Sequence, residues 1–237
     1  MDQLSPLSIA FLVYPNVTQL DFTGPAQFLS RLGRTRVDYV WKSRDPVATD
    51  AGFSILPTAT FDDISGADII CVPGGISCVE VMEDEDALAW VRRTGEQAQW
   101  VASVYTGSLI LAAAGLLDGY RAACHWAWRD HLALFGAEPV AERVVFDRNR
   151  ATGGGVTAGI DFAFALTAAV RGEEYARLLQ LGFEYDPQPP FDSGSPERAG
   201  AELVALYHQR MELLAPDREA QMREAAQRPV AVPEQSG

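Results

Sequence analysis

A chain of 237 residues is long enough for one α/β domain with a well-buried core, and we predict a single domain. Hydrophobic residues make up 48% and charged residues 22% of the sequence, a balance typical of a globular protein rather than a disordered or fibrous one. The net charge of -13, with 19 basic residues scattered among 32 acidic ones, argues against a nucleic-acid partner, because phosphate binding needs clustered Lys and Arg.

The sequence also disfavours membrane, metal-binding and disulfide-rich proteins. No apolar run approaches the roughly 20 residues of a membrane span, and the first residues lack the basic and apolar regions of a signal peptide. We therefore expect a cytoplasmic protein without a membrane partner. The cysteines form no CxxC pair and the histidines no HExxH spacing, so neither a metal site nor a disulfide is predicted. These residues are Cys71, Cys78, Cys124, His125, His131 and His208.

Hydrophobic periodicity, with Gly and Pro as breakers, predicts strands that alternate with helices. In chain order we expect a strand at 7–14, a helix at 21–32, a strand at 37–41, a small hairpin or edge excursion over 53–60, a strand at 68–72, a helix at 84–97, a strand at 100–104, a helix at 106–114, a short strand or turn at 122–126, a pair of strands at 143–146 and 150–152, and helices at 156–170, 174–183 and 196–214. Such alternation favours a mostly parallel sheet with helices on both faces. The domain is predicted over residues 1–215, followed by a C-terminal helix end and a flexible tail over 216–237.

Two loops that follow predicted strands carry candidate functional residues. Asp21 opens the first helix, and either Thr23 or Asp21 is available to cap it; the other interpretation of Asp21 is a general base. The strand at 68–72 ends at Pro73-Gly74-Gly75, whose glycines permit a close approach of the backbone to a ligand. We expect exposed amides of this turn to bind an anion.

The segment Ala102-Ser103-Val104-Tyr105-Thr106-Gly107-Ser108 carries the strongest functional signal. It predicts a strand that enters a helix through a sharp turn, and such an elbow lifts one side chain above the carboxyl end of the sheet, beside a helix N-terminus. Most elbow enzymes have Ser or Cys at this point, whereas this chain has Tyr105. A phenol is a poor nucleophile near neutral pH but donates or relays protons, so a catalytic scaffold with changed chemistry is predicted.

A set of motifs in a fixed order resembles the ThiJ/PfpI superfamily and, within it, the isonitrile hydratase branch. The motifs are QLDFTGP at 19–25, VPGG at 72–75, SVYTGS at 103–108, HW at 125–126, TGGGVTAGID at 152–161 and PPF at 189–191. The resemblance covers nearly the whole chain to about Met211. It implies a flavodoxin-like α/β sandwich, usually a homodimer, with the active site at the elbow near the subunit interface and with no cofactor.

In the branch that the chain resembles, an elbow cysteine attacks the isonitrile carbon, an acidic residue after the first strand transfers protons, and amides near the PGG turn hold charge. The acid corresponds to Asp21 and the cysteine to Tyr105, so the resemblance carries no thiolate chemistry to this chain. Cys124 stands where the branch more often has Thr. Its thiol is either a substitute nucleophile beside His125 or an inert packed group.

The predicted site combines catalytic and substrate-binding candidates. Asp21, Tyr105 and His125 are expected to be catalytic; the alternatives are that Tyr105 only fills the pocket and that His125 is structural. Trp126 is either a core or interface residue or part of a pocket for an aromatic substrate. The residues expected to contact substrate are Gly74, Gly75, Ile76, Thr106, Cys124 and Trp126.

The predicted site has a carboxylate and a phenol but no elbow thiol, metal or cofactor. Such a site is suited to proton transfer during an addition, elimination or condensation. The leading prediction is a Pictet–Spengler-type condensation of an aromatic amine with a carbonyl compound, which some members of the resembled superfamily carry out in specialised metabolism. One alternative is an isonitrile hydratase in which Asp21 activates water directly. Another is a non-catalytic small-molecule binding module. Transcription control has little support, since no helix-turn-helix segment is predicted.

Overall fold

The computed structural model of the protein describes residues 4–228. In this part of the chain the strands are β1 (Leu7–Leu12), β2 (Thr35–Trp41), β3 (Val47–Ala48), β4 (Ser54–Ile55), β5 (Ala59–Thr60), β6 (Ile69–Val72), β7 (Trp100–Val104), β8 (Arg121–Ala122), β9 (Glu138–Pro139), β10 (Val144–Asp147) and β11 (Arg150–Gly153). A 7-stranded sheet has the order β10-β11-β7-β6-β1-β2-β5, and all neighbours in it are parallel except β10 and β11. The short pairs β3/β4 and β8/β9 stand apart from it.

Helices form the layers on either side of this sheet. Those of residues 4–228 are α1 (Leu20–Leu29), α2 (Cys78–Met82), α3 (Glu85–Gln97), α4 (Gly107–Ala113), a 3₁₀ helix (Arg129–Phe135), α5 (Ala158–Arg171), α6 (Glu173–Gly182), α7 (Pro196–Ala199), α8 (Ala201–Leu214) and α9 (Arg218–Gln227). One layer contains α1, α5 and α6, and the other contains α2, α3, α4, α9 and the 3₁₀ helix. The predicted flavodoxin-like α/β sandwich is confirmed. No helix within the described range is long and apolar enough to cross a bilayer.

The central strands are buried on both faces, as their near-continuous apolar runs predict. Ala10 of β1 lies opposite Ile70 of β6, which lies opposite Val101 of β7, and all three are inaccessible to solvent or nearly so. Neighbouring parallel strands direct their carboxyl ends to one edge of the sheet. The loops after β1, β6 and β7 therefore meet at that edge, where ligands usually bind in open α/β sheets.

The structure decides between two alternatives for one predicted element and corrects another. Residues 53–60 take the edge alternative rather than forming a hairpin with each other, because β4 pairs with β3 while β5 adds to the sheet beside β2. The single helix predicted over 196–214 is wrong. Gly200 divides it into α7 and α8, since its φ of 81° lies outside the helical range.

The chain after residue 216 contains a separate helix, where the sequence predicted only the end of the preceding one. α9 packs on α2 and on the 3₁₀ helix, with Met222 and Ala225 buried. His131 of the 3₁₀ helix also joins Glu219 of α9 through a contact of 3.0 Å. The polar composition of this segment concealed its short apolar face. The flexible tail predicted beyond residue 228 lies outside the described residues.

The elbow between β7 and α4 depends on the missing side chain of Gly107. A methyl group there would overlap the carbonyl oxygen of Val72, which is part of the backbone and cannot rotate away. We expect Gly107→Ala to lower the free energy of unfolding by about 1–3 kcal/mol, the usual cost of overpacking, measured by urea denaturation. Gly182→Ala is the matched control, because nothing lies within 4 Å of its added methyl group. Equal stability of the two variants would contradict this tight packing.

Candidate active site

The elbow after β7 places Tyr105 at the carboxyl edge of the sheet. Its φ of 60° lies in the left-handed region, which costs a residue other than glycine about 1–3 kcal/mol. The Tyr105 amide donates to the carbonyl oxygens of Gly153 at 3.2 Å and Gly154 at 2.9 Å, where β11 ends. These bonds hold the strained turn in place, and the predicted strand–turn–helix elbow is confirmed.

The loop after β1 brings Asp21 against the turn after β6. The Thr18 amide donates to the carbonyl oxygen of Gly74 at 2.9 Å, and the Gly74 amide donates to Oδ2 of Asp21 at 3.0 Å. The helix-cap alternative is therefore wrong for Asp21, because its carboxyl faces another loop and α1 begins without a side-chain cap. It is also wrong for Thr23, whose hydroxyl donates to the carbonyl oxygen of Gln19.

The Asp21 carboxyl is a buried acid. Only 1% of the residue is exposed, and Oδ1 has no hydrogen-bond partner among residues 4–228. Burial raises the pKa of Asp21 from 3.8 to about 8, against the opposing effect of the Gly74 amide and with a smaller rise from Asp50. At neutral pH the group is thus mainly uncharged. Since Oδ2 accepts from Gly74 and Oδ1 has no partner among these residues, Oδ1 is the oxygen left to carry the proton.

Both glycine amides of the PGG turn are already engaged within the protein. The Gly74 amide binds Asp21, and the Gly75 amide donates to Oγ1 of Thr106 at 2.8 Å. The Thr106 hydroxyl donates in turn to the carbonyl oxygen of Gly75 at 2.8 Å. The predicted anion site on these amides is therefore wrong. Gly74 instead lets the elbow pack closely, because a methyl group at that position would overlap the Thr106 backbone nitrogen and lie 2.7 Å from Cδ1 of Tyr105.

His125 lies beside Tyr105 as a neutral hydrogen-bond donor. The two rings meet edge to face, with 4.9 Å between their centroids. Burial lowers the pKa of His125 to about 4, so the ring is uncharged at neutral pH. Its Nδ1 accepts a hydrogen bond from the Ala127 amide at 3.3 Å, which places the ring proton on Nε2.

The Tyr105 phenol keeps its proton at neutral pH. Only 6% of the residue is exposed, and burial, followed by the neighbouring Tyr207 phenol, raises the pKa of Tyr105 above its ordinary value. Its hydroxyl is therefore available only as a neutral donor or acceptor, and its ring packs beside Gly74.

None of the three thiols of the chain is prepared for nucleophilic attack. Cys71, Cys78 and Cys124 are all buried and unpaired. Burial raises the pKa of Cys78 to about 12, and it raises the pKa values of Cys71 and Cys124 well above their ordinary range. The thiolate is the attacking form, and these environments suppress it. The structure thus favours the packing role for Cys124 over that of a substitute nucleophile.

An aromatic cluster continues outward from His125. Trp126 lies 5.5 Å from His125 between ring centroids, and Tyr207 of α8 lies 4.9 Å from Trp126 and 5.8 Å from His125. Trp126 is only half-buried, so it is not a core residue. Ile76, another predicted substrate contact, is exposed directly after the PGG turn.

Sequence reasoning missed two tyrosines that shape the site. The Tyr14 hydroxyl donates to the carbonyl oxygen of Pro73 at 3.2 Å and so supports the PGG turn. Its position at the end of the first apolar run, beside the site loops, was the available signal. Tyr207 carries no such signal, because it lies in a surface helix outside every motif quoted above.

No metal site is evident in the described part of the chain. Among residues 4–228, no three or more His, Cys, Asp or Glu side chains are grouped so that they could hold a metal ion. That the protein works without a metal or cofactor stays a prediction.

Known proteins resemble this chain in both sequence and structure. The isonitrile hydratase of Pseudomonas putida is 51% identical over 198 residues, which cover 84% of this chain and 87% of that protein. A crystal structure of a ThiJ/PfpI family protein from Pseudomonas syringae has a TM-score of 0.87 and 42% identity, covering 95% of this chain and 92% of that one. The HTH-type transcriptional regulator GbdR of Pseudomonas aeruginosa is 28% identical, and the match spans 77% of this chain and 52% of the regulator.

The family assignment rests on the same segments that form the site. The DJ-1/PfpI family matches residues 7–169, which run from β1 into α5. This range includes Asp21, the PGG turn, the elbow at Tyr105 and His125. The chain therefore belongs to the DJ-1/PfpI family.

Proposed function

We propose that the protein is a cofactor-independent hydratase that converts isonitriles into N-substituted formamides, with Asp21 as the proton donor. The observation that carries the proposal is the buried neutral carboxyl of Asp21, whose Oδ1 has no partner among the described residues and whose pKa is about 8. The 51% identity to the Pseudomonas putida isonitrile hydratase supports the same reaction class. It favours the hydratase over the condensation that led the sequence-based predictions.

The proposed reaction begins at the terminal carbon of the isonitrile, whose lone pair accepts a proton. Asp21 gives the proton on Oδ1 to this carbon, which forms the new C–H bond and leaves the carbon electrophilic. Water adds to the same carbon, and the Asp21 carboxylate takes the proton that the water loses. The remaining hydroxyl proton then moves from oxygen to nitrogen, which yields the formamide.

The surroundings of Asp21 suit both halves of this cycle. Burial keeps the carboxyl neutral before the reaction, and the Gly74 amide stabilises the carboxylate while the proton is on the substrate. The Tyr105 hydroxyl and the Nε2–H of His125 hold the adding water and the new oxygen by hydrogen bonds. Since every cysteine is a buried thiol, this direct addition of water replaces a covalent thioimidate route.

A Pictet–Spengler-type condensation is the second candidate function. The contacts among Tyr105, His125, Trp126 and Tyr207 favour it, because an aromatic amine packs well on such rings. Asp21 would protonate the imine and, once ionised, remove the proton whose loss restores the aromatic ring. The comparisons with known proteins give this reaction no support.

We further propose that the protein is a homodimer. Large apolar side chains are exposed on α6 and α8, and exposed apolar surface commonly marks an interface between proteins. They are Leu178, Leu181, Leu203, Leu206, Leu213 and Leu214. A second copy of the chain would bury them. A cytoplasmic location, and the absence of nucleic-acid and membrane partners, stay predictions.

A product screen tests the proposed reaction. The purified protein is offered isonitriles in one set and aromatic amines with α-keto acids or aldehydes in another, and products are identified by mass spectrometry. We expect formamides from the first set. Asp21→Asn removes the transferable proton while keeping the shape of the side chain, so the rate falls by about 10²- to 10⁴-fold. Asp62→Asn is the matched control, because it makes the same change at an exposed carboxylate that does not contribute to the raised pKa of Asp21.

Each other outcome identifies a different function. A new carbon–carbon bond that requires Asp21 would replace the hydratase by the condensation. If Cys124→Ala produced no formamide while Asp21→Asn stayed active, the Cys124 thiol would be the nucleophile and the mechanism based on Asp21 would be wrong. If the protein bound these compounds without forming a product, and bound them equally well in Asp21→Asn, the non-catalytic binding module would be the better description.

The oligomeric state is tested by light scattering coupled to size-exclusion chromatography. We expect twice the chain mass of 25.8 kDa, because the exposed leucines of α6 and α8 are covered by a second copy. A single-chain mass at micromolar concentration would contradict the homodimer.

A further inference from the structure

Tyr207 of α8 differs from most of its neighbours because its ring contacts residues of the site. Most residues of α8 are exposed, whereas Tyr207 is half-buried. Its ring lies 4.9 Å from Trp126 and 5.8 Å from His125 between centroids. Tyr207 therefore extends the aromatic surface that begins at the elbow, although α8 lies beyond the family-matched range.

The Tyr207 phenol also lies within electrostatic reach of the elbow. After burial, Tyr207 is the largest contributor to the raised pKa of Tyr105, and burial likewise raises the pKa of Tyr207 itself. The rings of Tyr105, His125, Trp126 and Tyr207 thus follow one another from the buried acid towards the surface. A substrate whose small reactive group lies beside Asp21 would therefore place the rest of the molecule against the outer rings.

We infer that Tyr207 is a specificity-determining residue of the proposed site, and that with Trp126 it selects isonitriles bearing an aromatic group. The inference rests on the proposed function. Offset and edge-to-face ring contacts are favourable beyond the apolar area they bury. A saturated ring of the same size lacks these contacts, so the two kinds of substrate differ in transition-state binding rather than in reactivity.

A purely structural role for Tyr207 makes a different prediction. If the ring only held α8 against Trp126, its loss would impair all substrates together and lower the stability of the protein. If the ring contacts the substrate, its loss reduces the preference for an aromatic group. The ratio of kcat/KM for a matched aromatic and saturated pair separates these roles.

Benzyl isonitrile and cyclohexylmethyl isonitrile form such a pair. We expect Tyr207→Leu to lower the aromatic-to-saturated ratio of kcat/KM by about 2- to 10-fold. Tyr207→Phe keeps the ring and is expected to keep the ratio. Gln209→Ala, an exposed change on the same helix, should leave both rates unchanged. Should Tyr207→Leu fail to fold, as judged by circular dichroism, Trp126→Leu is expected to show the same loss of preference.

The failure of this inference is distinguishable from the failure of the proposed function. An unchanged ratio in the folded leucine variants, or an equal loss for both substrates, would overturn the specificity role while leaving the hydratase intact. No formamide from either substrate would overturn the hydratase. In that case calorimetric binding of N-benzylformamide and N-(cyclohexylmethyl)formamide still tests the aromatic surface, and equal affinities would overturn it.

Discussion

The hydrogen bond between the Gly74 amide and the buried Asp21 carboxyl is the interaction on which the site depends. It orients Oδ2, which leaves Oδ1 as the position of the proton. The bond exists because β1 and β6 are parallel neighbours, so the loops that follow them meet at one edge of the sheet. A second hydrogen bond, from the Thr18 amide to the Gly74 carbonyl oxygen, joins the same two loops. The order of the strands thus determines where the acid lies.

Burial of this carboxyl links the proposed chemistry to folding stability. The unfolded chain loses the Asp21 proton near the ordinary value of 3.8, whereas the folded protein keeps it to about pH 8. Between these values the folded state binds more protons than the unfolded state. The contribution of Asp21 to stability is therefore complete below the lower value, and it declines as pH rises through the window. A neutral acid at physiological pH is thus obtained at a cost to stability that accumulates between these two pH values.

The sequence predicted the framework of this protein better than its site chemistry. Apolar runs identified the central strands, and the strand–turn–helix pattern identified Tyr105 as the elbow residue, because these features depend on local periodicity and turn geometry. The engagement of the Gly74 and Gly75 amides depends on contacts between distant loops, which periodicity does not report. The same limit applies to Tyr207, since only the packing of α8 brings it to Trp126. The protonation of Asp21 follows from burial, which a single sequence does not show.

A ¹³C NMR titration of the aspartate side-chain carboxyls tests most directly whether Asp21 is a neutral acid at physiological pH. The signal of Asp21 is assigned as the one that disappears in Asp21→Asn. We expect a midpoint near pH 8, because burial raises the pKa of Asp21 to about 8. A midpoint near the ordinary aspartate value of about 4 would show that Asp21 is ionised at neutral pH, and would contradict its role as the proton donor.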